Sequence, residues 1–531
     1  MKSNSLLYFV ASTFMLFLLS SYSAGESFQR TIHTPTWTRA ESFGGSGPES
    51  PSTVKVDTRG NQYVTGGFSL TARFGNKTLD SAGGTDIFLA KFGRSGELRW
   101  LIQAGGTGDD VGNDIAFDRE QNIYLAGSFT DSATFSSVNG PSKTVTGAAE
   151  TIFLAKYDPS GKLVWVQTGT GSFGGQNEAF GVAVDPGAGT VFITGRGQGD
   201  DTFSSSDGTQ HTVPGVGSWH MFLVKYDSHG NFQWGQTNEA EVNTVPHKVA
   251  VDAHDNAYVT GWFEGTAIFH SNNGQDLTII GLSQPIQSFP DFPDDAFIVK
   301  YDAEGNAKWA NLIGGYKGIG TDIAVSDRSQ ISITGFIGNI AGTPQQAETI
   351  ATSQPGGKNI NLGGGQLTTP FNKDAFIATY NSAGVLLKAR RIGGAGDDGG
   401  SGIAYDHEGN LYVAGVFQDT IKVEGQSLTG KKPFNLFVLK FKSGTGGLDW
   451  AKKADGAGQD SFEENPRMGV TPTGEVFVTG VYQVTAVFDK ITLHSAGDLD
   501  IFLAELSANR DHDDCDDSRC GDKDDDNRTD H

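Results

Sequence analysis

The sequence of 531 residues is poor in sulfur and in positive charge: 2 Cys, 4 Met, and 39 Lys and Arg against 62 Asp and Glu. Two cysteines cannot staple a disulfide-rich scaffold. A net charge of −23 argues against nucleic acid as a partner, because neutralising phosphates takes clustered Lys and Arg. There is no polybasic segment to dock on anionic lipid. No apolar run reaches the roughly 20 residues of a membrane-spanning helix. Proline, at 17 residues, is too scarce for a collagen. Glycine is the abundant residue, at 73 or about 14%, roughly twice ordinary usage. With it come 35 Phe, 13 Tyr and 8 Trp, far more aromatic surface than a disordered chain carries.

Both ends differ from the middle. Met1-Lys2-Ser3 precedes a short apolar run, Leu6 to Leu19, and then the small residues Ser20, Ser21, Ser23, Ala24 and Gly25. This is the pattern of a secretory signal. It predicts a signal peptide over 1–24, a leader over 25–35 and a secreted, extracellular protein. At the other end, Asp fills nearly half of the positions from Asp511 to His531. Such a block cannot bury a core, so 507–531 is expected to be a disordered, Asp-rich tail. Cys515 and Cys520 lie close together there and are expected to form a small local disulfide in an exported protein. Asn76 and Asn527 each open a glycosylation sequon, meaningful in a eukaryotic host.

Between the ends the sequence repeats. "YVTG" and its variants end at Gly66, Gly127, Gly195, Gly261, Gly335, Gly415 and Gly480, a long and slightly elastic period. "IFLAKF" and its variants centre on Phe88, Phe153, Phe222, Phe297, Phe376, Phe437 and Phe502. A third string, such as "VKVD" ending at Asp57 or "IAYD" ending at Asp406, precedes each Gly anchor. These elements are short, rich in Val, Ile, Phe and Tyr, and bounded by Gly, Asp and Asn, which reads as strands A, B and C joined by tight turns. A fourth strand, D, carries Trp100, Trp165, Trp234, Trp309 and Trp450, with Ala389 in the odd place. Nothing supplies strand D after Phe502. However, Trp37 and Phe43-Gly44-Gly45 near the N-terminus match Trp100 and its Gly-Gly. The phase shift predicts an all-β, seven-bladed β-propeller over 36–506, with four-stranded antiparallel blades and a ring closed by an N-terminal outer strand.

The string from Phe88 through "AKFGRSGELRW" to "AGGTGDDVGNDIAFDREQNIYLAGSF" resembles the SBBP repeat, the seven-bladed β-propeller repeat of exported bacterial proteins. The resemblance recurs over residues 37 to 506 and departs most in blades 3 to 5, at "ISITGF" around Ile333 and at Ala389. It implies fold and export, and no shared enzymatic activity.

Function is expected on the face that carries the B–C and D–A connections. From anchor Gly to anchor Phe the B–C segments are shortest in blades 1, 6 and 7 and much the longest in blades 4 and 5. Rigid scaffolds place function on such loops. The D–A connections carry Glu49, Asp109, Asp110, Asp397, Asp398 and Glu463, an acidic arc over blades 6, 7, 1 and 2. These six are the candidate ligand residues, with Ca²⁺ or a cationic ligand as their chemistry. The competing reading is solvated turn chemistry. Enzyme motifs such as G-x-S-x-G and H-E-x-x-H are absent. His220, His229, His254 and His407 sit beside strands or in turns, where a lone turn His is usually solvated rather than catalytic. The favoured function is a non-catalytic, monomeric binding module for an extracellular protein, glycan or cationic ligand. The alternative is an extracellular hydrolase or lyase with its site at the pore mouth.

Overall fold

The first seven strands define the unit that recurs: β1 (Thr36–Gly45), β2 (Glu49–Val56), β3 (Gln62–Phe68), β4 (Thr71–Phe74), β5 (Lys77–Asp80), β6 (Asp86–Phe92) and β7 (Leu98–Gly105). In the computed structural model, residues 34–507 are described, apart from 217–218, 282–293, 315, 339–348, 353–359, 362–372, 460–465 and 498. Every regular element among the described residues is a strand.

One turn shows why the repeat keeps its residues. Between β2 and β3, Asp57 accepts the amides of Arg59 and Asn61 on Oδ1, at 2.9 and 2.8 Å. Its Oδ2 accepts the Asn61 side chain at 2.7 Å and the Tyr63 hydroxyl at 3.3 Å. Four donors on one buried carboxylate fix the turn, and Gly60 takes the left-handed backbone (φ 81°) that other residues avoid. The hydroxyls of Tyr124, Tyr258 and Tyr412 donate in the same way to Asp118, Asp252 and Asp406.

Strands β2, β3, β6 and β7 pair antiparallel in that order, with Gly66 opposite Phe88 and Lys91 opposite Trp100. Strand β3 is buried along its whole length. The hairpin β4–β5 leaves this sheet and pairs instead with β1, Gly44 opposite Arg73. Strand β1 pairs on its other side with Asp500–Ser507, Trp37 opposite Leu506 and Phe43 opposite Ile501. The two ends of the described chain thus share one sheet. Five sheets hold six strands and one holds ten, where the sequence leads one to expect four; the additional pair is the B–C hairpin seated on a neighbouring outer strand. In the ten-stranded sheet, Ile123–Phe135 and Lys143–Tyr157 run unbroken through both arrangements and fuse two sheets.

The core lies between neighbouring sheets. Tyr412, Leu436 and Trp450 of one sheet pack with Trp37, Met468, Val476 and Phe502 of the next. Each fully buried large apolar side chain is worth about 1.5–3 kcal/mol. The recurring Trp stacks edge-on against the aromatic of its own B strand, as Trp100 on Tyr63 at 5.9 Å, while Lys91 lies over the same Tyr ring. Trp234 and Trp309 also donate to carbonyls of the following C–D turn, at Ala303 and Ser382. The tryptophan is thus both plug and strap between sheets.

Candidate ligand pocket

In six repeats the opening strand is bulged at one fixed place. In β2 the register jumps between Pro51 and Thr53. It jumps likewise at Gly112/Asp114, Ala179/Gly181, Pro246/Lys248, Gly320/Asp322 and Gly400/Gly402. Each bulge leaves one residue unpaired in the ladder: Ser52, Asn113, Phe180, His247, Thr321 and Ser401. A bulge re-aims its side chain and often borders a functional site. The anchor glycines face these bulges. A Cβ on Gly66, Gly127, Gly195, Gly261, Gly335 or Gly415 would collide with a carbonyl oxygen of the bulged strand. Glycine therefore recurs here because the backbones approach too closely for a side chain.

Four of the bulge residues, Ser52, Asn113, Phe180 and His247, line a cavity of about 460 Å³, together with Glu49, Glu178, Lys248, Gln459 and Arg467. The side chains come from five separate strands, and their partners are specific. Asn113 donates to Glu178 at 2.8 Å, and Arg196 donates to the other Glu178 oxygen at 3.1 Å while lying over the Phe180 ring. Phe180 meets His247 edge-on at 6.2 Å. Lys248 bonds Asp114 and the Phe180 carbonyl, both at 3.2 Å. Arg467 donates to the Ser401 carbonyl at 2.7 Å.

Burial and neighbouring charge shift these groups. Burial pushes His247 down to about 3, and Arg467 and Lys248 beside it push the same way, so the ring is neutral. Its Nδ1 is buried with no hydrogen-bond partner. Burial lowers Lys248 to about 8 against the opposing pull of Asp114. Burial would raise Asp114, but Lys248 and Lys55 outweigh it and hold that carboxyl below its usual range. Burial lifts Glu49 to about 8; the Gly45 amide opposes this and Asp500 adds to it. At neutral pH Glu49 is mostly a neutral acid.

The acidic arc divides. Glu49 lines the pocket. Asp110 is buried and accepts the amides of Gly106 and Thr130 at 2.7 and 3.0 Å. Asp398 is buried and accepts those of Gly394 and Gln418 at 2.9 and 3.1 Å. Asp109 and Asp397 accept the amides of Thr85 and Lys373, both at 2.9 Å, tying one connection to the previous sheet. These four carboxylates fasten loops. Among the described residues no group of three or more His, Cys, Asp and Glu is placed to hold a metal ion. Asn76 lies exposed in the β4–β5 turn, while Glu463, Cys515, Cys520 and Asn527 fall outside the described residues, as do 282–293 of the blade 4 connection and most of the blade 5 connection. His220 departs from the expectation of a solvated side chain: it is fully buried and bonds Asp201 at 2.8 Å.

Sequence reading missed Asn113, Phe180, His247, Lys248 and Arg467. The signal was available in the two positions just before each "IAFD"-type string. They read Ser-Thr, Asn-Asp, Phe-Gly, His-Lys, Thr-Asp, Ser-Gly and Pro-Arg, the place where an otherwise recurrent strand varies most from repeat to repeat.

The all-strand architecture and the recurring Asp–Tyr turn, Gly anchor and outer Trp are those of a β-propeller repeat protein. Residues 99–128 match the family model of the SBBP β-propeller repeat. The chain is 27% identical over 473 residues to an uncharacterized WD repeat-containing protein of Acanthamoeba polyphaga mimivirus, covering 78% of this chain and 32% of that one. It is 24% identical over 406 residues to the regulatory protein FlaEY of Caulobacter vibrioides, covering 74% and 38%. The chain thus spans about a third of the length of these curated relatives. Among solved structures, the quinohemoprotein alcohol dehydrogenase of Comamonas testosteroni aligns with a TM-score of 0.39 at 10% identity, covering 91% of this chain and 78% of that one.

Proposed function

We propose that the protein is a secreted, monomeric, non-catalytic binding module. In this reading 36–506 forms seven four-stranded blades, closed by β1, whose B–C and D–A face recognises an extracellular protein or glycan. The observation that carries it is the 460 Å³ pocket, to which strands of five repeats each give a side chain. Deep, partly apolar cavities with a few convergent polar groups are the usual form of a ligand site. The pairing of β1 with both Asp500–Ser507 and β4 supports closure. The cationic ligand is disfavoured by Lys248 and Arg467 in the lining. Calcium at the arc is left out of the proposal, because Asp109, Asp110, Asp397 and Asp398 face amide hydrogens.

The test is an array of extracellular polysaccharides and proteins probed with the labelled full chain and with Phe180→Ala. Binding that falls about tenfold or more in the variant supports the reading; binding unchanged by Phe180→Ala removes the pocket from it. Deleting 341–370 in a second sample reports whether the blade 5 connection contributes.

One observation favours a second reading, an extracellular hydrolase or lyase. A protonated Glu49 and a neutral His247 line the same pocket, and shifted groups in one cavity are the mark of acid–base sites. New reducing ends or unsaturated product released from an array-positive polysaccharide would decide for catalysis.

A further inference from the structure

Phe173 is 72% exposed, an unusual position for so large an apolar ring. It stands in the connection between Leu163–Gly171 and Glu178–Val184, one residue longer than the connection that carries Asp109 and Asp110. The ring is held in place. The Phe173 amide donates to the Gln198 carbonyl at 3.4 Å, and a Cβ on Gly199 would stand 2.8 Å from Phe173 Cδ2. Ser172 and Asp200 exchange two hydrogen bonds, both at 2.9 Å. The Asp200 carboxylate also accepts the Gly215 amide at 3.2 Å, which brings the B–C connection of the same repeat alongside. There Val216 is 53% exposed, Pro214 is exposed, and Trp219 is partly buried. Arg196 lies over the Trp219 ring at 4.9 Å and over the Phe180 ring at 5.4 Å, so the ridge runs on to the Phe180 wall of the pocket.

The charge around this ridge is of one sign. From Leu163 to His247 the chain holds eight acids and two bases. Both bases are taken, Arg196 by Glu178 and Lys225 by Asp255. Asp200 is exposed between Phe173 and Val216. Thr237 donates to the Pro214 carbonyl at 2.5 Å, and the exposed Glu239 and Glu241 follow it in the chain. Exposed apolar surface rimmed by polar residues marks an interaction site. Rigid aromatics are the usual anchors of protein interfaces, and an acidic rim favours a basic partner. The branched Val216 and the Pro214 ring extend the ridge without the flat face that a sugar ring stacks on.

We propose that the ridge of Phe173, Val216 and Trp219 docks a segment of a partner protein whose apolar side chains are flanked by Lys or Arg. This inference rests on the B–C and D–A face being the binding face of the module.

Random dodecapeptides displayed on phage and panned on the full chain test it. The enriched peptides are expected to combine aromatic or aliphatic residues with net positive charge. The most enriched one, made synthetically, should bind Phe173→Ala about tenfold or more weakly than wild type. Leu387→Ala, which removes a half-exposed apolar side chain from the outer strand Leu386–Gly394, should leave its binding unchanged. An unaltered melting curve for Phe173→Ala excludes unfolding as the cause. Should that variant fail to fold, the double variant Glu239→Lys/Glu241→Lys replaces it and should weaken the same peptide. Affinity for the wild-type protein should also fall with NaCl. Peptides that bind both variants as well as wild type, peptides without net positive charge, or no enrichment at all overturn the inference. Polysaccharide binding on the array that is lost in Phe173→Ala assigns the ridge to a glycan and overturns it too. Array binding that depends on Phe180 and not on Phe173 leaves the module reading standing without this one.

Discussion

Gly261 lies against the carbonyl of Val245, across from the bulge that frees His247 from the strand ladder, and a methyl group on Gly261 would strike that oxygen. The glycine is therefore a condition of the pocket, one strand away from it. Gly261→Ala is expected to cost about 1–3 kcal/mol, the usual range for overpacking, and to weaken pocket binding as well. Urea denaturation gives the first number and calorimetry the second. An unchanged midpoint would show that the bulge can relax around a side chain.

Lys248 and Asp114 are both buried and lie 3.2 Å apart, on strands of different repeats. Removing one partner of such a pair strands a charge and typically costs about 3–5 kcal/mol. Lys248→Met should show that loss. Asp114 also accepts the Val182 amide at 3.2 Å, so Asp114→Leu carries its own penalty. The double variant is nevertheless expected to be more stable than Lys248→Met alone. A double-mutant cycle by chemical denaturation measures the coupling, and additive single effects would mean that the pair is not a pair.

Buried carboxyls recur in twos at the loop end of the sheets. Asp500 acts on Glu49, Asp86 on Asp110 and Asp374 on Asp398. Burial is the main cause that lifts Glu49 to about 8, Asp110 to about 6 and Asp398 to about 9, and the neighbouring acid adds to it. The folded protein therefore keeps protons that the unfolded chain releases near pH 4. Where the native state holds more protons, stability falls as pH rises. The contribution of these groups is complete below about pH 4 and is lost as pH climbs through their folded values. The melting temperature should fall between pH 6 and pH 9, and Asp398→Asn should flatten that slope. A slope unchanged by Asp398→Asn would mean that its proton is not taken up on folding.

The sequence made the strands legible because each repeats its own chemistry. Asp57, Asn61 and Tyr63 are three letters of one hydrogen-bonded turn, and Trp37 could be matched to Trp100 from opposite sides of a whole repeat. The acids were legible, but the partners of Asp110 and Asp398 were not, since both face backbone amides that no linear motif announces. The pocket was illegible for the opposite reason. A site built from one bulged residue per strand has no motif at all. His247 and Arg467 belong to repeats far apart in the chain and line one cavity.

Strand β1 carries the last prediction. Trp37 and Phe43 are buried, at 5% and 4% exposure, and pack in two different clusters. Trp37 also donates to the Lys453 carbonyl at 2.9 Å. Deleting residues 1–45 removes both anchors, each comparable to a Trp or Phe truncation of about 3–5 kcal/mol. It also leaves Asp500–Ser507 as an open edge with unpaired amides and carbonyls, a template for association. The truncated protein is expected to melt much lower and to elute as larger species on size exclusion. A synthetic peptide of residues 34–47, added in excess, should restore both properties because it rebuilds the missing strand. If truncation leaves melting and elution unchanged, the sheet of Asp500–Ser507 does not depend on β1.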